Sequence, residues 1–385
     1  MDERRNGRGF VISLPRMTVF RGPIFAFILG IFVFTMLICN PRISPSIIVP
    51  SVTESFPSIP SKTSPQASQS SDFNRLINLT NFDFVLNHFP CNGLSSTNES
   101  SSPLMLLIFV HSKPANFANR QVIRETWGSG LNAHQSKIII NLIFLLGEVH
   151  NESLQEQIRI ENEMRCDIVQ GRFLDSYRNL TYKHVMGLKW CTYFCPEASY
   201  ALKTDDDVFV NIPSLVRFLT SSNSDSSIKP RARRFILCNR NDDARVKRSY
   251  RSKWHVSHTE YPMKFYPPYC MGCAILYSFD VVTELYYLAQ RRPYFWVDDV
   301  HITGTLSKLL NIPLMHLGNL MLVQTQVDKI ISSVRDENAA NAPWEIESLA
   351  QLKEKDLFLF GVELSFNDIR KLWRIVAQPE DGGLI

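Results

Sequence analysis

Three consecutive aspartates, Asp205, Asp206 and Asp207, stand where the apolar run Tyr200-Ala201-Leu202 passes through Lys203-Thr204 into a turn. Aspartate is depleted in strands and costly to bury unpaired, so a triplet at a strand end calls for a cation or solvent beside it. On an extended backbone alternate side chains share a face, which lets Asp205 and Asp207 point the same way. Oxygen donors of that kind suit hard Mn²⁺ or Mg²⁺, ions held by one or two carboxylates together with substrate phosphates. A solvated acidic turn is the plainer reading of the triplet taken alone.

The elements that deliver the triplet alternate. Leu104 to Val110 is a continuous apolar run, as expected of a buried parallel strand. A helix over Arg120 to Trp127, a strand over Lys137 to Leu145 and a charged amphipathic helix over Glu152 to Met164 follow. Then come a strand over Asp167 to Phe173, a long helix over Leu180 to Phe194, and the strand that ends in the aspartates. This order predicts an α/β domain with a largely parallel central sheet. Ligands of such sheets sit beyond the carboxyl ends of the strands, where the triplet falls.

The rest of the chain points to a lumenal domain on a membrane anchor. Pro23 to Cys39 is apolar and uncharged, long enough to span a thin internal membrane. Arg4, Arg5, Arg8, Arg16 and Arg21 precede it, and only Arg42 follows before Lys62, which keeps the N-terminus cytosolic. A cleaved signal peptide is the competing reading, but no small-x-small site stands out after Cys39 and the basic leader is long. The expected organisation is a cytosolic tail at 1–22, a signal anchor at 23–39, a Ser/Pro/Thr-rich stem at 40–73 and a lumenal domain at 74–385. Asn78, Asn98, Asn151 and Asn179 each open an N-glycosylation sequon. Seven cysteines lie beyond the anchor; some should pair in an oxidising lumen, and the odd number leaves at least one over. Structural zinc is disfavoured, because no histidine pair accompanies Cys191/Cys195 or Cys270/Cys273 at ligand spacing. The formal charge of +4 is small and partly set by the tail, so nothing in it argues for nucleic acid.

Several blocks, in order, resemble the β1,3-galactosyltransferase family, which includes β1,3-N-acetylglucosaminyltransferases. Arg120-Gln121-Val122-Ile123-Arg124-Glu125-Thr126-Trp127-Gly128 resembles its R-x-x-I-R-x-T-W-G signature, and Phe173 to Thr181 its D-F-x-D-S-Y-x-N-L-T block. Lys203 to Asn211 resembles its K-T-D-D-D-x-F-V-N. Ser252-Lys253-Trp254 and Tyr266 to Gly272 resemble S-K-W and Y-P-x-Y-x-x-G, and Asp298-Asp299-Val300 with Gly304 resembles E-D-V-x-x-G.

The resemblance implies a GT-A type fold in a type II Golgi membrane protein. It implies a UDP-sugar donor such as UDP-galactose, Mn²⁺, and inverting transfer to the 3-hydroxyl of an acceptor glycan on a glycoprotein or glycolipid. It places Asp207 first among the metal ligands, with Asp205 nearer the donor and His316 as a poor match to a further ligand. Arg120, Arg124, Asp175, Lys203, Asp205 and Asp206 would face the nucleotide sugar, and Lys253, Trp254, Tyr269 and Gly272 the substrates. Single displacement needs a carboxylate to take the acceptor proton; the resemblance draws it from the pair Asp298-Asp299, with Asp299 first and the other carboxylate as a helix cap. The plainer reading of Arg120, Arg124 and Trp127 is a solvated helix face and a core indole. Three departures stand out: Gly272-Cys273-Ala274-Ile275 loses a second glycine and an aromatic, Asp298 replaces a glutamate, and the match at His316 is weak. Transfer of N-acetylglucosamine or N-acetylgalactosamine stays open, as does an inactive lumenal chaperone or a lectin-like module.

Overall fold

The computed structural model describes residues 72–88, 91, 104–129, 138–220, 234–335 and 358–377. The expected tail, the anchor at Pro23–Cys39, almost all of the stem and the sequon at Asn98 lie outside these residues. Among the described residues no helix is long and apolar enough to cross a membrane.

The short strand β1 (Phe84–Leu86) precedes β2 (Leu104–His111), α1 (Phe117–Glu125), β3 (Ile138–Glu148), α2 (Glu152–Arg165) and β4 (Ile168–Leu174). Next come α3 (Leu180–Phe194), β5 (Tyr200–Asp205), β6 (Phe209–Val210), α4 (Ile212–Thr220) and β7 (Ile236–Asn241). They are followed by β8 (Tyr269–Ser278), α5 (Phe279–Ala289), a π-helix at Val300–Leu306, β9 (Leu314–His316), β10 (Met321–Leu322), α6 (Gln324–Arg335), β11 (Phe360–Gly361) and α7 (Phe366–Val376). Eight strands form one sheet in the order β1-β4-β3-β2-β5-β8-β7-β9. Six run one way, and β1 and β8 run against their neighbours. The expected α/β architecture is therefore present as a mixed sheet; the reversed β8, between β5 and β7, is the element the apolar runs did not foretell.

β2 shows why the sheet is central. Alternate strand residues face opposite sides, and here both sides are dry. Leu106, Ile108 and Val110 pack with Val122, Trp127, Leu215 and Ile369 in one core layer. Met105, Leu107 and Phe109 pack with Val185, Met186 and Leu285 in the other. α3 is buried from Thr181 to Cys191. It lies so close to the sheet that a Cβ on Gly187 would stand 2.8 Å from Leu145 and 2.9 Å from Phe109. Lys189, on the same helix, donates to the carbonyls of Asp72 and Arg75 at 2.8 and 2.7 Å among the rings of Phe73, Phe82, Tyr193 and Tyr286. That contact fastens the lead-in segment to the domain.

Among the described residues Cys91–Cys195 and Cys238–Cys270 form disulfides, and Cys166 is disulfide-bonded as well. Cys191 and Cys273 carry free thiols, so each close cysteine pair of the sequence is split between a disulfide and a thiol, and neither forms a zinc knuckle. A second sheet, β10-β11-β6, sits next to the aspartate turn, with Phe360 opposite Val210 and Gly361 opposite Phe209. Its middle strand comes from the end of the chain.

Candidate active site

The aspartate triplet divides between interior and cleft. Asp206 is buried and accepts from Ser112 Oγ at 2.6 Å, Asn116 Nδ2 at 2.9 Å and Asn119 Nδ2 at 3.3 Å. The expectation that it faces the nucleotide is therefore corrected: it anchors the turn to the loop before α1. Asp205, at the end of β5, and Asp207, in the turn beyond it, both point outward. The Asp205 side chain is 40% exposed yet crowded by protein, and this desolvation pushes its carboxyl up to about 6; Asp207 adds to the shift and Lys203 opposes it. Lys203 Nζ sits 2.6 Å from Asp205 Oδ1 and also donates to the Gly272 carbonyl. Asp207 is raised too, by desolvation first and then by Asp206. The C-terminal segment closes this turn: Leu364 N donates to the Asp207 carbonyl at 3.2 Å, and Asn211 Nδ2 donates to the Phe358 carbonyl at 3.2 Å.

Arg120 and Arg124 do not reach the cleft. Arg120 is 0% exposed, and its five N–H groups are taken up by Glu161, Ser112 Oγ and the carbonyls of Lys113 and Pro114. Arg124 pairs with Glu161 and Asp167 at 2.7 Å each. Both were expected at the donor; both instead tie α1 to α2, and Arg120, through Ser112, braces Asp206 from behind. Trp127 is core, and its Nε1 donates to the Val208 carbonyl at 3.1 Å. Removing one partner of a buried pair leaves an uncompensated charge. Because Arg124 still serves Glu161, Arg120→Met is expected at the low end of that range, about 3 kcal/mol less stable by denaturant titration.

Asp298 and Asp299 lie on the wall of a cavity of about 510 Å³, together with Tyr177, Trp254, Tyr269 and Trp296. They are held there by the π-helix that follows; such single-turn departures are frequent at functional sites. Thr303 Oγ1 accepts from Cys270 N at 2.9 Å and donates to the Asp299 carbonyl at 2.6 Å, so the π-helix is sewn to β8. Gly304 gives it room, since a Cβ there would stand 3.1 Å from both Pro267 and Tyr269. The helix-capping contact falls on the residue expected as base: Asp299 Oδ1 accepts from Val300 N at 2.8 Å. A Cβ placed on Gly272 would lie 3.6 Å from both Asp299 Oδ2 and Lys203 Nζ, so this glycine separates the two carboxylate groups of the site.

The environments of the pair differ. Burial, the largest single influence, would lift the Asp298 carboxyl, but the hydrogen bond from His184 at 2.9 Å, the nearby charges of His184 and Lys203 and the Asp299 backbone N–H together hold it below its ordinary value. Desolvation, followed by the adjacent charge of Asp298, pushes Asp299 up to about 7. A carboxylate poised near neutrality is what a general base requires.

The remaining expected residues scatter. Asp175 accepts from Gly147 N and Lys183 Nζ, at 2.7 Å each, and braces the β3–β4 end of the sheet rather than a nucleotide. Lys253 lies outside the cavity wall, its ammonium 4.2 Å over the Trp254 ring. His316 ends the edge strand β9, three strands from β5, a lateral distance of about 14 Å at about 4.8 Å per strand. Its Nδ1 accepts from Arg240 N. It cannot share an ion with Asp205. Ala274 and Ile275, at the departures from the motif, are core residues of β8. Of the described sequons, Asn151 caps α2, Asn78 accepts from Tyr182 OH, and Asn179 donates its amide N–H to the Leu174 carbonyl. His184, Tyr277, Ser112 and Glu161 were not anticipated; each lies in an element that reads as plain core or plain amphipathic helix.

The galactosyltransferase family model matches residues 118–318, just over half the chain. Beta-1,3-galactosyltransferase 5 of Pan paniscus is 34% identical over 224 residues, which cover 58% of this chain and 71% of that protein. Beta-1,3-galactosyltransferase 1 of Mus musculus is 34% identical over 244 residues, covering 63% and 70%. Among solved structures, a glycosyltransferase involved in glycosylation of the major capsid of PBCV-1 aligns with 71% of this chain and 100% of its own at 10% identity, with a TM-score of 0.31, too low to bear on fold or function.

Proposed function

The chain belongs to the galactosyltransferase family and is a glycosyltransferase; on that premise we propose that it transfers a hexose, galactose first, from a UDP-sugar to the 3-hydroxyl of an acceptor glycan, with inversion. The observation that carries this reading is the cavity itself. Two carboxylates of opposed environment stand on an aromatic wall, and a lysine-held aspartate lies across Gly272 from them. In the proposed step the acceptor oxygen attacks C1 of the donor sugar and its proton passes to Asp299 Oδ2. The C1–O bond to UDP breaks, and its electron pair leaves on the diphosphate.

Asp205 and Asp207 fit a divalent cation, Mn²⁺ by expectation: both are accessible oxygen donors whose anions desolvation disfavours. Two carboxylates plus diphosphate oxygens make a usual set for such an ion. Among the described residues no third histidine, cysteine or carboxylate completes a protein cage. When bound, the ion supplies charge neutralisation for the departing diphosphate. Lys203, buried and raised by Asp205, orients that carboxylate. The GT-A reading of the fold and a Golgi-lumenal, type II placement belong to the same proposal; disulfides such as Cys91–Cys195 and Cys238–Cys270 support an oxidising compartment.

Trp254 is 48% exposed, with Lys253 on one side of its ring, and offers a sugar a stacking face at the cavity mouth. Trp254→Ala is expected to raise the acceptor KM about tenfold, a loss near 1.4 kcal/mol, and to leave the UDP-sugar KM unchanged. The whole reading is tested by following UDP release from several UDP-sugars with Mn²⁺, with and without β-linked acceptors. Acceptor-stimulated, EDTA-sensitive release from UDP-galactose supports it; release from a UDP-N-acetylhexosamine alone would change the donor; a folded chain that binds no UDP would overturn it.

A further inference from the structure

Resting on the reading of the cavity as a sugar-transfer site, we propose that His184 and Tyr277 are positioning residues: from behind the cavity wall they hold Asp298 as a fixed anion, so that Asp299 alone meets the acceptor hydroxyl. His184 lies on α3 with a side chain 0% exposed, so it touches neither substrate. Its Nδ1 is 2.9 Å from Asp298 Oδ2 and its Nε2 is 3.0 Å from Tyr277 OH on β8. An ionised carboxylate only accepts hydrogen bonds, so Nδ1 carries the proton. Burial disfavours imidazolium, and the neutral ring then offers Nε2 as the acceptor for the Tyr277 hydroxyl. Those two contacts fix both the ring orientation and the tautomer, the usual task of an outer partner to a functional group.

The surroundings single out this chain of contacts. The other titratable groups around it include His111 on β2, Lys183 and Cys191 on α3, Lys203 and Asp205 on β5, Tyr177, Tyr294, Asp299 just before the π-helix and His301 within it. His111 Nε2 and His301 Nε2 have no hydrogen-bond partner among the described residues, whereas both ring nitrogens of His184 are engaged. A buried polar chain rigidifies what it holds only when every member is satisfied. Here the satisfied chain ends on the carboxylate adjoining the proposed base. Asp298 is also the position at which an aspartate stands in place of the glutamate of E-D-V. The shorter side chain is drawn back toward α3, and its locked charge adds, after desolvation, to the raised affinity of Asp299 for a proton.

The test compares the full chain in detergent with His184→Leu, His184→Asn and Tyr277→Phe, by UDP calorimetry and by single-turnover transfer from UDP-galactose across pH. Asparagine keeps an N–H donor where Nδ1 stands; leucine does not. His184→Leu is expected to bind UDP like the native chain, to slow transfer about 100-fold with donor KM unchanged, and to move the acidic limb of kcat/KM to lower pH. That shift follows because an unsupported, buried Asp298 takes up a proton and ceases to repel charge on Asp299. His184→Asn should recover most of the rate. Transfer by His184→Leu within threefold of native, or equal slowing in the leucine and asparagine variants with an unmoved limb, would overturn the proposal. If the native chain transfers no sugar, the function reading fails instead. The brace is then judged on histidine-selective ¹⁵N spectra, where the native chain must show one neutral His184 with a protonated Nδ1 that Asp298→Ala, which leaves no acceptor, abolishes.

Discussion

Asp299→Asn is expected to lower kcat by about 10³-fold while leaving UDP-sugar binding within a few-fold of native, because a positioned base contributes about 10² to 10⁴. The amide keeps the size of the side chain and, through its oxygen, the cap on Val300 N, so loss of proton acceptance is isolated from loss of fold. The native enzyme should show the complementary pH dependence. A carboxyl raised to about 7 accepts a proton only once it is deprotonated, so kcat/KM should fall about tenfold per pH unit below about 7 and level off above it. Asp299→Asn should lack that limb. Asp298→Asn is expected to be the milder change; if it proves the more damaging one, with the limb retained in Asp299→Asn, the roles of the two carboxylates are reversed.

The second large effect belongs to the aspartate turn. Asp207→Ala is expected to reduce Mn²⁺-dependent turnover by at least about 10³-fold, since neutralising a departing diphosphate is worth several kcal/mol. Calorimetry gives a readout independent of catalysis: UDP affinity in Mn²⁺ should fall in Asp207→Ala to that of the native chain in EDTA. Undiminished Mn²⁺-dependent UDP binding would remove Asp207 from the metal site. Asp206→Ala provides the contrast. It deprives Ser112, Asn116 and Asn119 of their shared acceptor, so its primary defect should be thermal stability, not metal affinity.

Much of this was legible in residue order. The continuous apolar runs of β2 and β3 report strands covered on both faces, and the contacts of β2 with two separate cores bear that out. Asp205 and Asp207 share the outward side as the sequence suggested, but β5 ends at Asp205, and the burial of Asp206 comes from the turn and its partners Ser112, Asn116 and Asn119, which the sequence did not announce. Strand direction is not written in an apolar run, so the reversal of β8 was hidden. Two-residue strands such as β6 and β11 have no periodicity to detect. Arg120 and Arg124 were expected at the donor or on a solvated helix face, whereas their partners are Glu161 on α2 and Asp167 just after it, a pairing that depends on packing no spacing reports. His184 was invisible for another reason. α3 is buried on all sides, which erases the amphipathic pattern that would mark an inward polar residue, and its partner Asp298 lies far along the chain.

The placement of β11 has a consequence for biosynthesis. Asp207 emerges from the ribosome long before Phe360, yet β11 is the middle strand of the small sheet that steadies its turn. Until that segment arrives, the nascent domain displays Phe209 and Leu215 without Phe360 and Ile369, their companions in the same core layer. Such unfinished surface is what chaperones hold. A premature stop codon before Phe358, although it spares every proposed catalytic residue, is therefore expected to yield a chain that stays bound to chaperones and never completes its fold, which a chaperone co-purification assay would read.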